Sequence, residues 1–314
     1  MNNTAWGIFP QAVCPLHMQL QAASIGEAIP RETFDARVQS VFQSAVNLHL
    51  THTEHLITLL ISDHYDLPQG IRITEKAAPL QTLDVGLPAA ARGGVLRFES
   101  SPLSVDLRGA AVWRCRVPEQ NADLQSPAVV QAWSSAWELL THRQRLARAD
   151  VIAGDLFQLN RGSRLSQRLG WPMVQLITST AQFDVEDSIG AAQKMIGLGP
   201  GVTPSGDDIL IGFLAGLWST TGQNPDMLAF LRSFGPELMH SAGRTNQISR
   251  TYLYHATLGQ FSSSLSHLAE AIAAGDPVEM AAEEAMRIGH SSGMDSVTGL
   301  LIGLCVWNME LSLV

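Results

Sequence analysis

Two short motifs in the second half of the chain place carboxylates and glycines where a helix would begin. The first is Ser205–Asp208, with the sequence SGDD, and the second is Ser292–Asp295, with the sequence SGMD. Acidic side chains in the first helical turn interact favourably with the helix dipole, and free backbone amides there bind anions. The two motifs are therefore the first candidates for binding or catalytic chemistry.

Both motifs belong to an internal repeat. Residues 205–216 read SGDDILIGFLAG and residues 292–303 read SGMDSVTGLLIG, with six of the twelve positions identical at an offset of 87. In each copy an aspartate and two glycines lie four residues apart and form one stripe on a helix. A glycine inside a helix costs about 1 kcal/mol relative to alanine, so the stripe indicates that another element approaches it closely. We expect the two helices to cross on these stripes and to bring their starts together.

The serine and the aspartate of each motif also have the spacing of a capping box. In that arrangement Ser205 would pair with Asp208 at one helix start, and Ser292 with Asp295 at the other. Each cap would stabilise its helix by roughly 1 kcal/mol. The spacing alone therefore leaves open whether Asp208 and Asp295 are catalytic residues or only helix caps.

A glycine-rich loop, Gly197–Gly206, leads into the first motif. Such a loop exposes backbone amides that suit an anion, but no lysine follows it, so it is not a P-loop. Next to a bound anion, Asp207 and Asp208 would need a cation, a proton or a substrate amine. Mg²⁺ is therefore the candidate cofactor. We assign no metal ligand. The loop supplies candidate contacts for a small anionic substrate at Gly199, Gly201, Thr203, Ser205 and Gly206.

His290 stands directly before the second motif. A histidine beside a helix start could act as a general acid or base or stabilise an oxyanion. We therefore take His290, with Asp207 and Asp208, as the candidate catalytic residues. Further candidate substrate contacts are Asn246, Ser291, Ser292, Gly293 and Asp295.

The hydrophobic pattern changes along the chain. Short apolar runs broken by glycine and proline, such as Val38–Leu50 and Leu56–Ile61, predict strands up to about residue 115. Helical spacing then dominates, for example in Val185–Ile196 between an aspartate N-cap and a glycine. We predict an α+β fold, with a β-rich domain at 1–120 (a small sandwich or barrel) and a mostly α-helical domain at 121–314 that carries both motifs.

Composition excludes several classes of function. A formal net charge of −9 argues against nucleic-acid binding, which needs a basic face. The apolar runs are shorter than the roughly 20 residues of a membrane span. Three cysteines without a CxxC pair, and no signal-peptide pattern at the N-terminus, predict a soluble cytoplasmic protein with reduced thiols.

The two motifs resemble those of a bacterial family known as domain of unknown function 2877. The likeness lies in residues 197–208 (GLGPGVTPSGDD) followed by Gly212, in residues 289–293 (GHSSG) with Asp295, and more weakly in residues 44–47 (SAVN). This family includes the AllH-type subunit of oxamate carbamoyltransferase. The resemblance implies FdrA-like and AllG-like partner subunits and a role in allantoin breakdown. It also implies a reaction that interconverts carbamoyl phosphate and oxamate with oxalurate and phosphate.

Three interpretations stay open from the sequence. The chain is a substrate-binding or catalytic subunit of a carbamoyl-transfer complex, a metal-dependent hydrolase of a small phosphorylated or amidated metabolite, or a non-catalytic scaffold subunit. The hydrolase would use Asp207 and Asp208 as metal ligands. In the scaffold, both motifs would be only tight helix crossings. Met294 replaces Asp207 in the second copy, so that copy lacks a paired carboxylate.

Overall fold

The computed structural model describes residues 18–61, 65–75, 79–158 and 162–308. Within these ranges strands come first and helices follow. The strands are β1 (Met18–Gly26), β2 (Phe34–Val41), β3 (Ala45–Leu50), β4 (Leu56–Ile61), β5 (Gly70–Ile73), β6 (Pro88–Arg92), β7 (Val95–Phe98), β8 (Leu103–Asp106) and β9 (Ala111–Trp113). The helices are α1 (Pro127–Ala147), α2 (Arg164–Ala181), α3 (Val185–Met195), α4 (Ser205–Thr221), α5 (Pro225–Ser241), α6 (Gln247–Thr257), α7 (Ser263–Ala274), α8 (Glu279–Met286) and α9 (Ser292–Cys305).

Eight strands close into a barrel, which confirms the predicted fold class. The strand order is β5-β4-β3-β2-β6-β7-β8-β1, and β1 returns to pair with β5. β1 closes the ring because its first half runs parallel to β8 and its second half runs antiparallel to β5. β9 extends the sheet along the other edge of β1. Closure leaves few free strand edges and encloses one apolar core.

Alternation along the strands explains which face is buried. In β2 the side chains of Phe34, Ala36 and Val38 lie in the core. Asp35 and Arg37, which alternate with them, face outward. The single strand predicted over Val38–Leu50 is wrong, because the chain turns at residues 42–44 and the amide of Phe42 donates to Ala45 O at 2.8 Å. This turn contains no glycine or proline, so the sequence gives no break signal there.

Two helices form the centre of the helical region. α4 and α9 are buried on nearly every face, and five other helices pack against one or both of them: α1, α3, α6, α7 and α8. Helices that are apolar all round are typical of a protein interior. The two repeated motifs therefore lie in the helical core, with Asp208 and Asp295 buried.

α4 and α9 cross on their glycines, as the repeat predicts. A Cβ added to Gly212 would lie 1.8 Å from the carbonyl oxygen of Ser296. A Cβ added to Gly299 would lie 2.0 Å from the carbonyl oxygen of Ile209. Ile209 and Ser296 occupy equivalent positions in the repeat, as do the two glycines, so the contact is reciprocal. The crossing brings the backbones too close for any side chain between them.

The barrel and the helices are joined around α6 and the start of α7. The carboxylate of Glu54 pairs with the guanidinium of Arg250 at 2.6 Å. The amide of Asp66 donates to Ser263 Oγ at 2.8 Å, and the amide of Ser263 donates back to Asp66 O at 2.9 Å. These contacts hold the β3–β4 turn against α6 and the segment after β4 against α7, and this junction borders the site described below.

No helix in the described residues has the length and hydropathy needed to cross a membrane. Cys115 and Cys305 are free thiols, as the sequence predicts. The third cysteine, Cys14, lies outside the described residues.

Candidate functional site

Each motif serine reaches the aspartate of the other motif. Ser205 hydrogen-bonds with the carboxyl group of Asp295, and Ser292 does so with that of Asp208. The capping-box prediction is wrong, because Ser205 and Ser292 are already the first helical residues and neither start has a side-chain cap. The helix crossing redirects both serines, so Asp208 and Asp295 are not caps of their own helices.

Asp208 and Asp295 form a buried carboxyl pair at this crossing. They are 4% and 1% exposed, and each keeps an Oδ2 atom with no hydrogen-bond partner among the described residues. Burial first, and then repulsion by Asp295, hold the pKa of Asp208 well above its usual value. Burial raises the pKa of Asp295 to about 7. Both helix N-termini favour the charged forms, but loss of hydration outweighs them. The fold therefore favours the acid form of both side chains.

This buried pair predicts an unusual dependence of stability on pH. In the unfolded chain Asp295 loses its proton near its usual pKa of about 3.9, whereas in the folded chain it keeps the proton up to about pH 7. Between these values the folded state binds the extra proton. The free energy of unfolding should therefore fall as pH rises, by up to about 1.4 kcal/mol per unit. The effect is absent below about pH 4 and complete above about pH 7.

Asp295→Asn should remove this titration and give a shallower slope between pH 4 and pH 7. The control is Asp226→Asn, which alters an exposed aspartate in the first turn of α5 and should keep the wild-type slope. Chemical denaturation at several pH values measures both. Identical slopes in wild type and Asp295→Asn would contradict the raised pKa.

Asp208 faces a cavity of about 320 Å³ between the barrel and the helices. The barrel contributes Asn47, Thr58 and Gln69 to its wall. The helical part contributes Thr203, Asp208, Ser292 and His255, so residues of both repeat motifs meet there. The hydroxyl oxygens of Thr203 and Ser292 lie 2.6 Å apart and both also bond to the Asp208 carboxyl group. The cavity thus combines mostly apolar walls with a few convergent polar groups, as ligand sites do.

A chain of polar groups lines the barrel side of the cavity. Tyr252 on α6 hydrogen-bonds with Thr58, and burial together with Tyr65 and Asp208 raises its pKa. Thr58 Oγ1 donates to Asn47 Oδ1 at 2.9 Å, and Asn47 lies in the segment 44–47 that carried the weak family likeness. These hydrogen bonds on the outer face of the barrel fix the orientation of the polar side chains that face the cavity.

His255 is a cavity residue that the sequence reasoning missed. Its Nδ1 lies 2.9 Å from Gln260 Oε1, which can only accept, so Nδ1 carries the proton and Nε2 is left as an acceptor. Burial lowers the pKa of His255 to about 4, which keeps the ring neutral. No motif in the sequence marked this histidine, because its role depends on contacts with the barrel.

Two acceptors on the cavity wall have no hydrogen-bond partner in the part of the chain that the structure describes. Gln69 is 3% exposed and lines the cavity, and its Oε1 has no hydrogen-bond partner among the described residues. Asp208 Oδ2 likewise has no hydrogen-bond partner among the described residues, and Asp208 also lines the cavity. Buried acceptors of this kind are costly unless something donates to them. The wall is therefore suited to a ligand that brings N–H or O–H donors.

The glycine loop uses several of its amides internally. The amide of Gly206 donates to Leu198 O at 2.8 Å, and that of Gly197 donates to Asp207 Oδ1 at 2.8 Å. Gly199 has φ +118°, and a Cβ there would lie 2.7 Å from the amide nitrogen of Ser205. Gly201, with φ +100°, is exposed. The loop therefore folds back on the helix start, and the anion cradle expected at Gly206 has its amide already occupied.

Asp207 ties three segments together and does not line the cavity. Its two carboxylate oxygens accept from the amide of Gly197 and from the hydroxyl of Thr245. The side chain is fully buried, and burial raises its pKa above the usual value. Asp207 and Asp208 are neighbours in the chain, but the carboxyl group of Asp207 contacts Gly197 and Thr245 whereas that of Asp208 faces the cavity.

Asp207→Ala is expected to lower the free energy of unfolding by about 2–3 kcal/mol, because it orphans two hydrogen-bond donors. Thermal or chemical denaturation of the variant, with Asp226→Ala as an exposed control, measures this effect. A loss no larger than that of the control would show that the hydrogen bonds of Asp207 contribute little to the free energy of unfolding.

The remaining candidates from the sequence lie near the site in different roles. Asn246 caps α6, and its Nδ2 donates to Val202 O at 2.7 Å, which fastens the glycine loop. Ser291 hydrogen-bonds with Asp295. Gly293 lines the cavity and packs on Ala285 O, where a Cβ would lie 2.3 Å away. His290 is exposed and is not part of the described cavity wall, so the structure does not bring it to Asp208.

Two family models match separate parts of the chain. A family model described as oxamate carbamoyltransferase subunit AllH matches residues 195–304, from the end of α3 to α9. A second model, the AllH family N-terminal domain, matches residues 18–112, which hold the barrel. No solved structure matches the chain. The two matches cover most of the chain and include the whole repeat and both walls of the cavity. The chain therefore belongs to the AllH family, as the motifs indicate.

Proposed function

We propose that this chain binds the carbamoyl-bearing substrate of an oxamate carbamoyltransferase complex in the cavity at Asp208. The observation that carries the proposal is a buried carboxyl oxygen, Asp208 Oδ2, that has no partner among the described residues and faces this cavity. It lies in the stretch that the AllH model matches. A buried carboxyl group whose pKa is held well above its usual value is suited to general acid–base catalysis.

The proposed reaction needs one proton transfer at nitrogen. When oxalurate reacts with phosphate, an oxygen of HPO₄²⁻ attacks the carbamoyl carbon, and the C–N bond to the oxamate nitrogen breaks. Asp208 in its acid form donates a proton to that leaving nitrogen, and the proton of the phosphate restores the acid. The products are carbamoyl phosphate and oxamate. In the opposite direction Asp208 removes the proton from the attacking amide nitrogen.

The acceptors of the cavity wall suit the nitrogen end of these substrates. Gln69 Oε1 and His255 Nε2 can accept the N–H groups of a carbamoyl or ureido group, while Asp208 manages the proton. Several fixed contacts would hold the reacting atoms in place, and such positioning accounts for a large part of enzymatic rate enhancement. The substrate we propose is thus a small anion with an amide-rich end.

The family name supports proposals about the partner subunits, the pathway and the location of this chain. We propose FdrA-like and AllG-like partner subunits, a role in allantoin and purine breakdown, and a cytoplasmic location. A Mg²⁺ ion would supply positive charge to the phosphate, and Asp208 is the carboxyl group of the described wall that would hold it. No Lys or Arg lies among the described wall residues, so the positive charge must have another source.

The other two interpretations fit the geometry less well. A hydrolase with Asp207 and Asp208 as joint metal ligands needs both carboxylates to face one ion, whereas Asp207 is bonded to Gly197 and Thr245. A pure scaffold explains the glycine crossing. It gives no reason for unpartnered buried acceptors on a cavity wall.

Reconstitution tests the proposal. The chain is co-purified with FdrA-like and AllG-like subunits, and formation of carbamoyl phosphate from oxalurate and phosphate is measured. The complex is expected to be active, and omission of this chain should abolish the activity. Undiminished activity without this chain would refute the assigned role.

A further inference from the structure

Apolar side chains in contact with solvent surround the open side of the cavity. Phe42, in the turn between β2 and β3, is 38% exposed, and Val202, in the glycine loop, is 49% exposed. Ile248 and Ile288 are partly exposed beside them, and all four line the cavity. We call these four residues the apolar rim.

The backbone beneath the rim is held in place. Asn246 Nδ2 donates to Val202 O at 2.7 Å, and the amide of Phe42 donates to Ala45 O at 2.8 Å. The rim therefore combines exposed apolar side chains with a preformed backbone. Exposed apolar groups clustered round an opening are typical of a surface that another protein covers.

The described residues of the cavity wall include no strong cation for the proposed chemistry. Among the described wall residues the ionisable side chains are Tyr65, Asp208, Tyr252 and His255, and none of these is a strong cation. His255 is neutral because burial lowers its pKa to about 4. The chain as a whole carries a net charge of −9. A phosphate dianion placed beside Asp208 without a cation would be strongly disfavoured.

We propose that the site is completed in trans: a partner subunit docks on the apolar rim and inserts an arginine or lysine side chain through the opening. This inference rests on the proposed function, because the phosphate is what requires the cation. The inserted cation would face both the phosphate and the carboxyl group of Asp208. The partner is thus defined by its chemistry, as an apolar surface with one protruding basic residue.

Matched serine variants test the docking surface. Val202→Ser and Phe42→Ser should weaken the affinity for the co-purified FdrA-like and AllG-like subunits by roughly tenfold each, since each removes a buried apolar contact. Val85→Ser is the control, because Val85 is 67% exposed but is not a rim residue. It should change the affinity by less than about twofold. Thermal unfolding of each free variant checks that its fold is intact.

Phosphate binding tests the inserted cation. Calorimetric titration of inorganic phosphate should show binding to the assembled complex and at least about tenfold weaker binding to the free chain. Equal binding by the free chain, or wild-type assembly of Val202→Ser and Phe42→Ser, would overturn completion in trans. An active complex with either of those results would leave the proposed function standing. A complex that binds phosphate but does not act on oxalurate would instead refute the proposed function.

Discussion

Gly212→Ala is expected to lower the free energy of unfolding by at least about 3 kcal/mol. The added Cβ would lie 1.8 Å from the carbonyl oxygen of Ser296, which is backbone and cannot rotate away. α4 and α9 would have to separate, and overpacking of this kind exceeds the usual cost of about 1–3 kcal/mol in a core. Chemical denaturation of the purified variant measures the loss.

Gly190→Ala is the matched control for this prediction. Gly190 also lies inside a helix, α3, but a Cβ there meets nothing within 4 Å. Alanine should therefore stabilise the helix by about 0.5–1 kcal/mol. Similar changes in both variants would show that helix propensity, and not the crossing, governs the glycine stripe.

Asp208→Asn is expected to reduce the turnover of the reconstituted complex by about 10²–10³-fold. An amide has nearly the shape of the protonated carboxyl group but cannot deliver or take up a proton, and general acid–base catalysis contributes about this much. Because Asp208 is buried with a raised pKa, the uncharged amide should be tolerated in the fold. Steady-state rates with oxalurate and phosphate measure the loss.

Asp226→Asn serves again as the control, since it removes an exposed carboxylate from a first helical turn. This variant should retain wild-type turnover. If Asp208→Asn forms the complex normally and keeps its full rate, Asp208 has no part in proton transfer.

The helix crossing could be predicted from the sequence because it is encoded locally. Two helical stripes that each place glycine where alanine would be more stable indicate that another backbone approaches both of them. Gly212 and Gly299 indeed meet the partner backbone directly. The exchange of serine partners could not be predicted, because Ser205 and Asp208 have the same spacing whether they cap one helix or reach across to another.

The barrel side of the cavity could not be predicted from local sequence patterns. Asn47, Thr58 and Gln69 reach the cavity only because β3, β4 and the loop before β5 pack against α6 and α7. The closure of the barrel depends on β1 pairing with β5, about fifty residues away in the chain. Sequence periodicity predicts strands but not such pairings. His255 could not be predicted for the same reason, because it becomes a cavity residue only beside this barrel wall.

Asp207 shows the limit of reasoning from residue type. Paired carboxylates at a helix start indicated a joint role, yet one side chain turns toward Thr245 and the other toward the cavity. Successive residues on a helix point about 100° apart, so such a split is the ordinary outcome. Asp208 thus becomes the focus of the site, while Asp207 supports the loop that frames it.

A ligand-bound structure of the reconstituted complex is the most direct test of the central claim. With oxalurate and an unreactive phosphate analogue present, the bridging nitrogen of oxalurate should lie within about 3 Å of Asp208 Oδ2. The ligand should fill the cavity between Gln69 and Ser292. Oxalurate bound on another subunit, with this cavity holding only water, would contradict the claim.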